Sequence, residues 1–373
     1  MIDFTSALYL GMRHPHQSLT PWKELTTGRP AALESPREAE RLARQLARLL
    51  GCERATLGTS TLHLFWDLFE VLARDPIAIY TDAGAYPIAR WGVERVAARR
   101  APTTDFASHS PAALQGFLHR DRRSGCRPVV VTDGLCPGNG RMAPLPEYLR
   151  LVRAHGGYLV VDDTQALGIL GHRPRPNLPY GSGGAGTAAW YGIEGPELVV
   201  ASSLAKGFGA PLAVLAGSGE LISRFERLSS TRTHSSPPSL ASISAGESAL
   251  AINSSQGDDL RHRLLRLVRR FRAHLKQLGL SASGGLFPVQ TLNPIAGLEM
   301  KRLHCRLLAR GVRTVLRRAR NGWDAKLSFL ITMLHTQADI DGGITALQAA
   351  CALAPDKRQP SLTVADEIVA RQG

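Results

Sequence analysis

Five short apolar runs, at residues 77–80, 128–132, 158–161, 198–201 and 213–216, recur along the middle of this chain, separated by helical or irregular stretches. Each run is continuous rather than alternating, as expected of a strand buried on both faces. Strands that alternate with helices predict an α/β fold with a mostly parallel sheet covered on both sides. At 373 residues the chain can bury a large core and has room for a second, smaller domain. In open sheets of this kind ligands bind outside the carboxyl ends of the strands, so the residues that follow each run are the first candidates for chemistry.

The rest of the chain falls into segments around this core. Residues 1–36 carry turn signals at Pro15, Pro21, Gly28 and Pro30 and no sustained periodicity, and read as an N-terminal arm or small-domain segment. A large domain is expected over 37–256. It opens with an amphipathic helix at Arg37–Leu50, capped by Ser35, with Pro36 in its first turn and Gly51 at its end. The Gly/Pro-rich stretch 171–196 reads as an irregular loop near the strand ends. From about residue 257 the texture changes to arginine-rich helices at 261–277 and 303–309, a strand at 327–332 and a helix at 339–353. These predict a smaller α+β domain over 257–354, followed by a polar tail at 355–373.

Composition excludes several classes. Hydrophobic residues make up 44% of the chain, yet no apolar run approaches the roughly 20 residues of a spanning helix, so no membrane role is expected. The start, Met1-Ile2-Asp3-Phe4, lacks the basic and apolar regions of a signal peptide, which makes cytoplasmic residence the expectation. Five scattered cysteines show no metal-ligand spacing and read as reduced thiols; no metal is expected. The net charge of +14 comes from arginine, since only six of the 45 basic residues are lysines. The densest basic stretch, 261–272, puts Leu264, Leu265, Val268 and Phe271 on one helical face, and its arginines read as the solvated side of that helix. No zinc finger, RNP motif or aromatic-interleaved basic groove supports nucleic-acid binding.

Two strand ends carry the chemistry. Lys206 follows the run at 198–201 and is framed by small residues in Ser203-Leu204-Ala205-Lys206-Gly207. Asp162 and Asp163 end the run at 158–161, and strand alternation points the two apart, leaving Asp162 for the site. A lysine amine that can condense with an aldehyde, beside a carboxylate that can keep a pyridine nitrogen protonated, suggests pyridoxal 5′-phosphate (PLP).

Four segments, in order, resemble the α-oxoamine synthase family of PLP enzymes of fold type I. Residues 3–11 (DFTSALYLG) resemble its NFSSNDYLG. Residues 132–140 (TDGLCPGNG), followed by Ala143-Pro144-Leu145, are similar to its TDGVFSMDG-x-x-APL. Residues 161–171 (VDDTQALGILG) resemble VDDAHGTGVLG, and Ser203-Leu204-Ala205-Lys206 resembles its Schiff-base segment. The resemblance implies a seven-stranded, mostly parallel sheet sandwiched by helices, with Lys206 holding the cofactor and Asp162 at its ring nitrogen. It further implies Tyr86 stacked on the ring, Gln165 near the phenolic oxygen, and a phosphate site at Ser60, Thr61 and Leu62 with help from Ser203. The segment 233–238, with Ser235, resembles S-T-S-M-P-P, which reaches the phosphate of the neighbouring subunit and so implies a homodimer. His63 reads as an ordinary helical histidine.

Three positions depart from the family pattern. Tyr86 and Gln165 stand where the family has histidines, which removes two titratable rings. Ser328 stands where the family has the arginine that grips an amino-acid carboxylate, and a hydroxyl does not replace that fork. Arg318, Lys326 and Arg29 are then the candidates for holding a carboxylate. The implied reaction joins an amino-acid-derived carbanion to an acyl thioester, on coenzyme A or on an acidic acyl carrier protein, and the positive charge favours the carrier protein. The departures suggest a specialised biosynthetic substrate. They also leave open a different PLP reaction on the same scaffold, of aminotransferase, lyase or aldolase type. The third alternative is an inactive dimeric partner, against which Lys206 and Asp162 both speak.

Overall fold

The computed structural model describes residues 1–136, 140–318 and 325–352, with Arg318 described by its backbone alone. The tail expected at 355–373 lies outside the described residues. The chain divides into two compact units, Met12–Asp258 and a second made of Met1–Gly11 with Asp259–Gly373.

The first unit is built on a seven-stranded sheet. Its strands run in the order Arg54–Gly58, Ala213–Gly217, Leu198–Ser203, Tyr158–Asp162, Arg127–Asp133, Ile77–Asp82 and Thr103–Phe106. All neighbours are parallel except Ala213–Gly217, which runs against both of its partners. The five apolar runs are the five central strands, as their continuity predicts. Val129, Val131, Val160, Val199 and Ala201 are buried to within 1% against a cluster that includes Phe65, Phe69, Val93 and Phe225. Each valine and phenylalanine among them contributes about 1.5–3 kcal/mol when fully buried. The two outer strands, Arg54–Gly58 and Thr103–Phe106, have no counterpart among the expected runs. They are short, and polar residues such as Arg54, Thr103 and Asp105 face out along the sheet edge.

Helix ends repay the same local reading, with one correction. Arg37–Leu50 ends at Gly51, whose φ of 67° lets its N–H reach Ala47 and Arg48 carbonyls. At its start, however, Pro36 itself occupies the cap position and no side chain caps the helix, so Ser35 does not play that part. The stretch 171–196 is mostly turns, as expected, but folds one short helix at Thr187–Tyr191.

In the second unit the sheet is antiparallel, in the order Val315–Arg318, Ala325–Leu330, Val289–Leu292 and Ala282–Ser283. The strand Ile2–Asp3 pairs in parallel with Val312–Arg313, and helices Met300–Leu308 and Gln337–Ala352 complete the unit. Phe4 packs edge-on to Phe329 at 5.2 Å and stacks on His335 at 4.5 Å. The arginine-rich helix starts earlier than its texture suggests: it runs unbroken over Leu240–Gln277. Its first half is rich in serine, alanine and glycine, which weakens the amphipathic pattern. Leu264, Leu265, Val268 and Phe271 are buried as their spacing requires. The arginines are less uniformly solvated than expected. Arg261 is buried, Arg270 makes a two-pronged pair with Asp341 at 2.6 Å, and Arg272 donates to Gln290 at 2.8 Å. No helix among the described residues is long and apolar enough to cross a membrane.

Candidate active site

Parallel strands deliver their last residues to one side of a sheet, and here those residues are acidic. Asp82, Asp133 and Asp162 end three neighbouring strands, with Asp133 and Asp162 paired in register. Around the last two lies a cavity of about 200 Å³ lined by Thr61, Tyr86, Asp133, Leu135, Asp162, Thr164, Gln165, Ser203, Ala205 and Lys206. The structure thus brings together Lys206, Asp162, Tyr86, Gln165, Thr61 and Ser203 from the sequence-derived set.

Lys206 sits three residues beyond Leu198–Ser203, in a turn whose close packing needs a glycine at the next position. A Cβ on Gly207 would lie 2.3 Å from the Leu167 carbonyl oxygen. The Lys206 ammonium stands 5.9 Å from the centre of the Tyr86 ring. Burial lowers its pKa, while Asp162 and Asp133 oppose that shift. An amine that sheds its proton more readily is a better nucleophile toward an aldehyde.

The two adjacent aspartates point apart, as alternation predicts. Asp162 faces the cavity, where its Oδ1 accepts the Thr164 N–H at 3.0 Å. Burial raises its pKa, countered by hydrogen bonds from Thr164 and by Lys206. Asp163 turns away and accepts the Thr187 N–H at 2.9 Å and the Thr187 hydroxyl at 2.6 Å. Thr164 also ties the two strands together, since its Oγ1 accepts the Ser203 N–H at 3.0 Å.

Tyr86 occupies the cap position of the helix Pro87–Ala97, and its N–H donates to Asp133 Oδ1 at 3.0 Å. The other oxygen of Asp133, Oδ2, is buried and has no hydrogen-bond partner among the described residues. Burial raises the Asp133 pKa well above the usual carboxylate range, and the charge of Asp162 adds to the effect. Ser60 occupies the cap position of the helix Thr61–Leu72, with its hydroxyl on His63 Nδ1 at 2.8 Å; Leu62 is exposed two residues further on. Ser203 Oγ accepts the Ala205 N–H at 3.2 Å.

Other expected site residues lie elsewhere. Ser235 donates to the Thr231 carbonyl at 2.6 Å and is not part of the cavity wall, and Arg29 pairs with Glu34 on the surface. Arg318, Lys326 and Ser328 belong to the other unit. Within it Ser328 is buried with its hydroxyl on Thr291 at 2.7 Å, and Lys326 is exposed on the same strand. Four wall residues, Asp133, Leu135, Thr164 and Ala205, were not among the site residues expected from the sequence. Asp133 had a usable signal: like Asp162, it ends a strand that begins as a continuous apolar run.

A half-buried lysine and a carboxylate in one cavity wall, with the N-terminus of a twelve-residue helix beside them, fit the aldehyde, ring nitrogen and phosphate of a PLP-sized group.

Comparison with known proteins agrees with this geometry. An 8-amino-7-oxononanoate synthase of Sodalis glossinidius (strain morsitans) is 28% identical over 368 residues, covering 94% of this chain and 88% of that protein. The one from Thioalkalivibrio sulfidiphilus (strain HL-EbGR7) is 32% identical over 222 residues, covering 59% of this chain, and the match spans only 54% of that protein's length. A solved serine palmitoyltransferase variant from S. paucimobilis, with a bound PLP-myriocin aldimine, superposes with a TM-score of 0.79 at 17% identity, covering 93% of this chain and 86% of that one. Residues 99–347 match the pattern of the aminotransferase class I and II family. With two thirds of its length in that match and its ordered motifs on the expected strand ends, the chain belongs to the aminotransferase class I and II family, within the α-oxoamine synthase group.

Proposed function

We propose that this chain is a PLP-dependent acyltransferase that joins an amino-acid-derived carbanion to an acyl thioester. The observation that carries this reading is the placement of Lys206 and Asp162 in the wall of one cavity at the sheet's carboxyl edge. Names of the relatives, 8-amino-7-oxononanoate synthase and serine palmitoyltransferase, support the same class.

Bound in the cavity, PLP would supply an electron sink that stabilises negative charge at the carbon next to the substrate amine. Lys206 would hold the cofactor aldehyde, yield its place to the substrate amine and then act as a base at that carbon. Asp162, fixed by Thr164, would keep a proton on the ring nitrogen. The Thr61 helix N-terminus and the Ser203 hydroxyl would hold the phosphate. Tyr86 would cover the ring and Gln165 would donate an amide hydrogen to its phenolic oxygen without changing charge.

The Ser328 hydroxyl lies on Thr291, which supports a carboxylate grip elsewhere. Of the three alternatives, Arg29 already has Glu34 as a partner. Lys326 and Arg318 remain as the cations that would hold the amino-acid carboxylate. The net charge of +14 favours a thioester carried on an acidic acyl carrier protein over one on coenzyme A. Ser235, lying outside its own chain's cavity, fits a homodimer in which the segment 233–238 serves the neighbouring site.

The decisive test incubates purified protein and PLP with a panel of amino acids and acyl thioesters, and follows release of carbon dioxide and free thiol. Release of both, dependent on Lys206, is expected. A visible cofactor band that responds to amines with neither product released would sink the condensation and favour another PLP reaction, with pyridoxamine phosphate marking transamination.

A further inference from the structure

Asp133 and Asp162 occupy register-paired positions at the ends of adjacent parallel strands, both buried, and both in the wall of the cavity that holds Lys206. Two carboxylates in one desolvated site with one ammonium do not both ionise readily; one proton is retained between them. The hydrogen bonds decide where it stays. Asp162 accepts from the Thr164 N–H and hydroxyl, and those donors favour its charged form. Asp133 accepts one N–H, from Tyr86, on Oδ1, and its Oδ2 is buried with no partner among the described residues. A bare buried carboxylate oxygen is costly, whereas a protonated one carries its own hydrogen into the cavity. The other charged groups around Asp133 have different assignments. Asp82, on the strand beyond, accepts N–H groups from Gly84 at 2.7 Å and His109 at 3.0 Å, and the Tyr148 hydroxyl at 3.2 Å. Asp163 is turned to Thr187 behind Gly134. The remaining polar side chains of the wall, Thr61, Tyr86, Thr164, Gln165 and Ser203, carry no carboxylate, imidazole or ammonium.

We propose that Asp133 is the acid of this cavity, carrying its proton on Oδ2 and delivering it to a reacting atom held beside Lys206. In the forward step the Oδ2–H bond breaks, the proton forms a bond to the acceptor atom, and the electron pair stays on Asp133 as a carboxylate facing the Lys206 ammonium. The reverse step returns the proton to Oδ2. This assignment deepens the reading of the cavity as a lysine-centred PLP site, yet its first test needs no cofactor.

Infrared difference spectra of the cofactor-free protein, wild type minus Asp133→Asn, should show a protonated-carboxyl band at neutral pH that disappears on raising the pH. Subtraction against Asp133→Asn separates this band from any due to Asp163, and near-native circular dichroism of the variant confirms that the fold is kept. Absence of the band at pH 7 would overturn the proposal. In the cofactor-loaded protein kcat should fall in Asp133→Asn, which has no acid proton to deliver, and recover in Asp133→Glu, while the midpoint of the visible lysine-dependent band stays near that of the wild type because asparagine matches the neutral acid in charge. A kcat unchanged in Asp133→Asn, or a midpoint that falls in it, would equally overturn the proposal. Failure of the wild type to form any visible band would instead overturn the PLP reading and leave the infrared result to stand alone.

Discussion

Replacing Asp163 by asparagine isolates the energetic consequence of burying the second of two adjacent aspartates. Asp163 is 1% exposed, and burial pushes its carboxyl up to about 7 from an ordinary 3.8, against the pull of the two Thr187 donors; the charge of Asp162 pushes it further. Between these values the folded chain holds a proton that the unfolded chain has released. Stability from this group is therefore fully present below about pH 4 and is lost as pH rises toward 7. A displacement of that size corresponds to about 4 kcal/mol. Asparagine keeps an oxygen for the Thr187 N–H but carries no titrating proton. Unfolding of the cofactor-free proteins in urea at a series of pH values should thus show the variant gaining on the wild type by up to about 4 kcal/mol between about pH 4 and 8. Parallel stability profiles for the two proteins would refute the reasoning, because they would mean that Asp163 is already ionised in the fold at low pH.

Three further perturbations have distinct outcomes. Gly207→Ala places a methyl group 2.3 Å from the Leu167 backbone oxygen and must displace the Lys206 turn; PLP retention, followed by equilibrium dialysis, should weaken by about tenfold or more, equivalent to about 1.4 kcal/mol. Ser328→Ala leaves the buried Thr291 hydroxyl without its partner and should lower unfolding free energy by about 1 kcal/mol, while KM for the amine substrate stays unchanged. Asp162→Asn removes the charge that would hold the ring nitrogen protonated, and kcat should fall by about a hundredfold or more with the fold intact by circular dichroism.

Much of the first unit was legible because its strands are buried on both faces. Continuous runs such as Val129-Val130-Val131 and Leu159-Val160-Val161 leave no polar alternation to misread, and the strand ends at Asp162 and Ser203 then follow directly. The edge strands at Arg54 and Thr103 escaped for a different reason, since four- and five-residue segments that mix polar with apolar residues resemble loops. Helix Leu240–Gln277 was legible only from Arg261 onward, where leucines supply a 3.6-residue period that Ser242, Ser244 and Gly246 do not. At the site, residue type revealed Lys206 and Asp162, whose chemistry is distinctive. Asp133 ends its strand as Asp162 does, a signal the sequence carries, but its unsatisfied oxygen is a property of three-dimensional packing that no spacing records. Ser328 shows the converse: its departure from the family pattern is plain in the sequence, but its bond to Thr291 had to be seen in the fold.

The most direct measurement is the site at which PLP attaches. The protein loaded with PLP is reduced with borohydride, digested and mapped by mass spectrometry across its six lysines, Lys23, Lys206, Lys276, Lys301, Lys326 and Lys357. A phosphopyridoxyl group on Lys206, absent from Lys206→Ala, is the expected result. Stoichiometric attachment to any other lysine, with Lys206 unmodified, would contradict the assignment of this cavity.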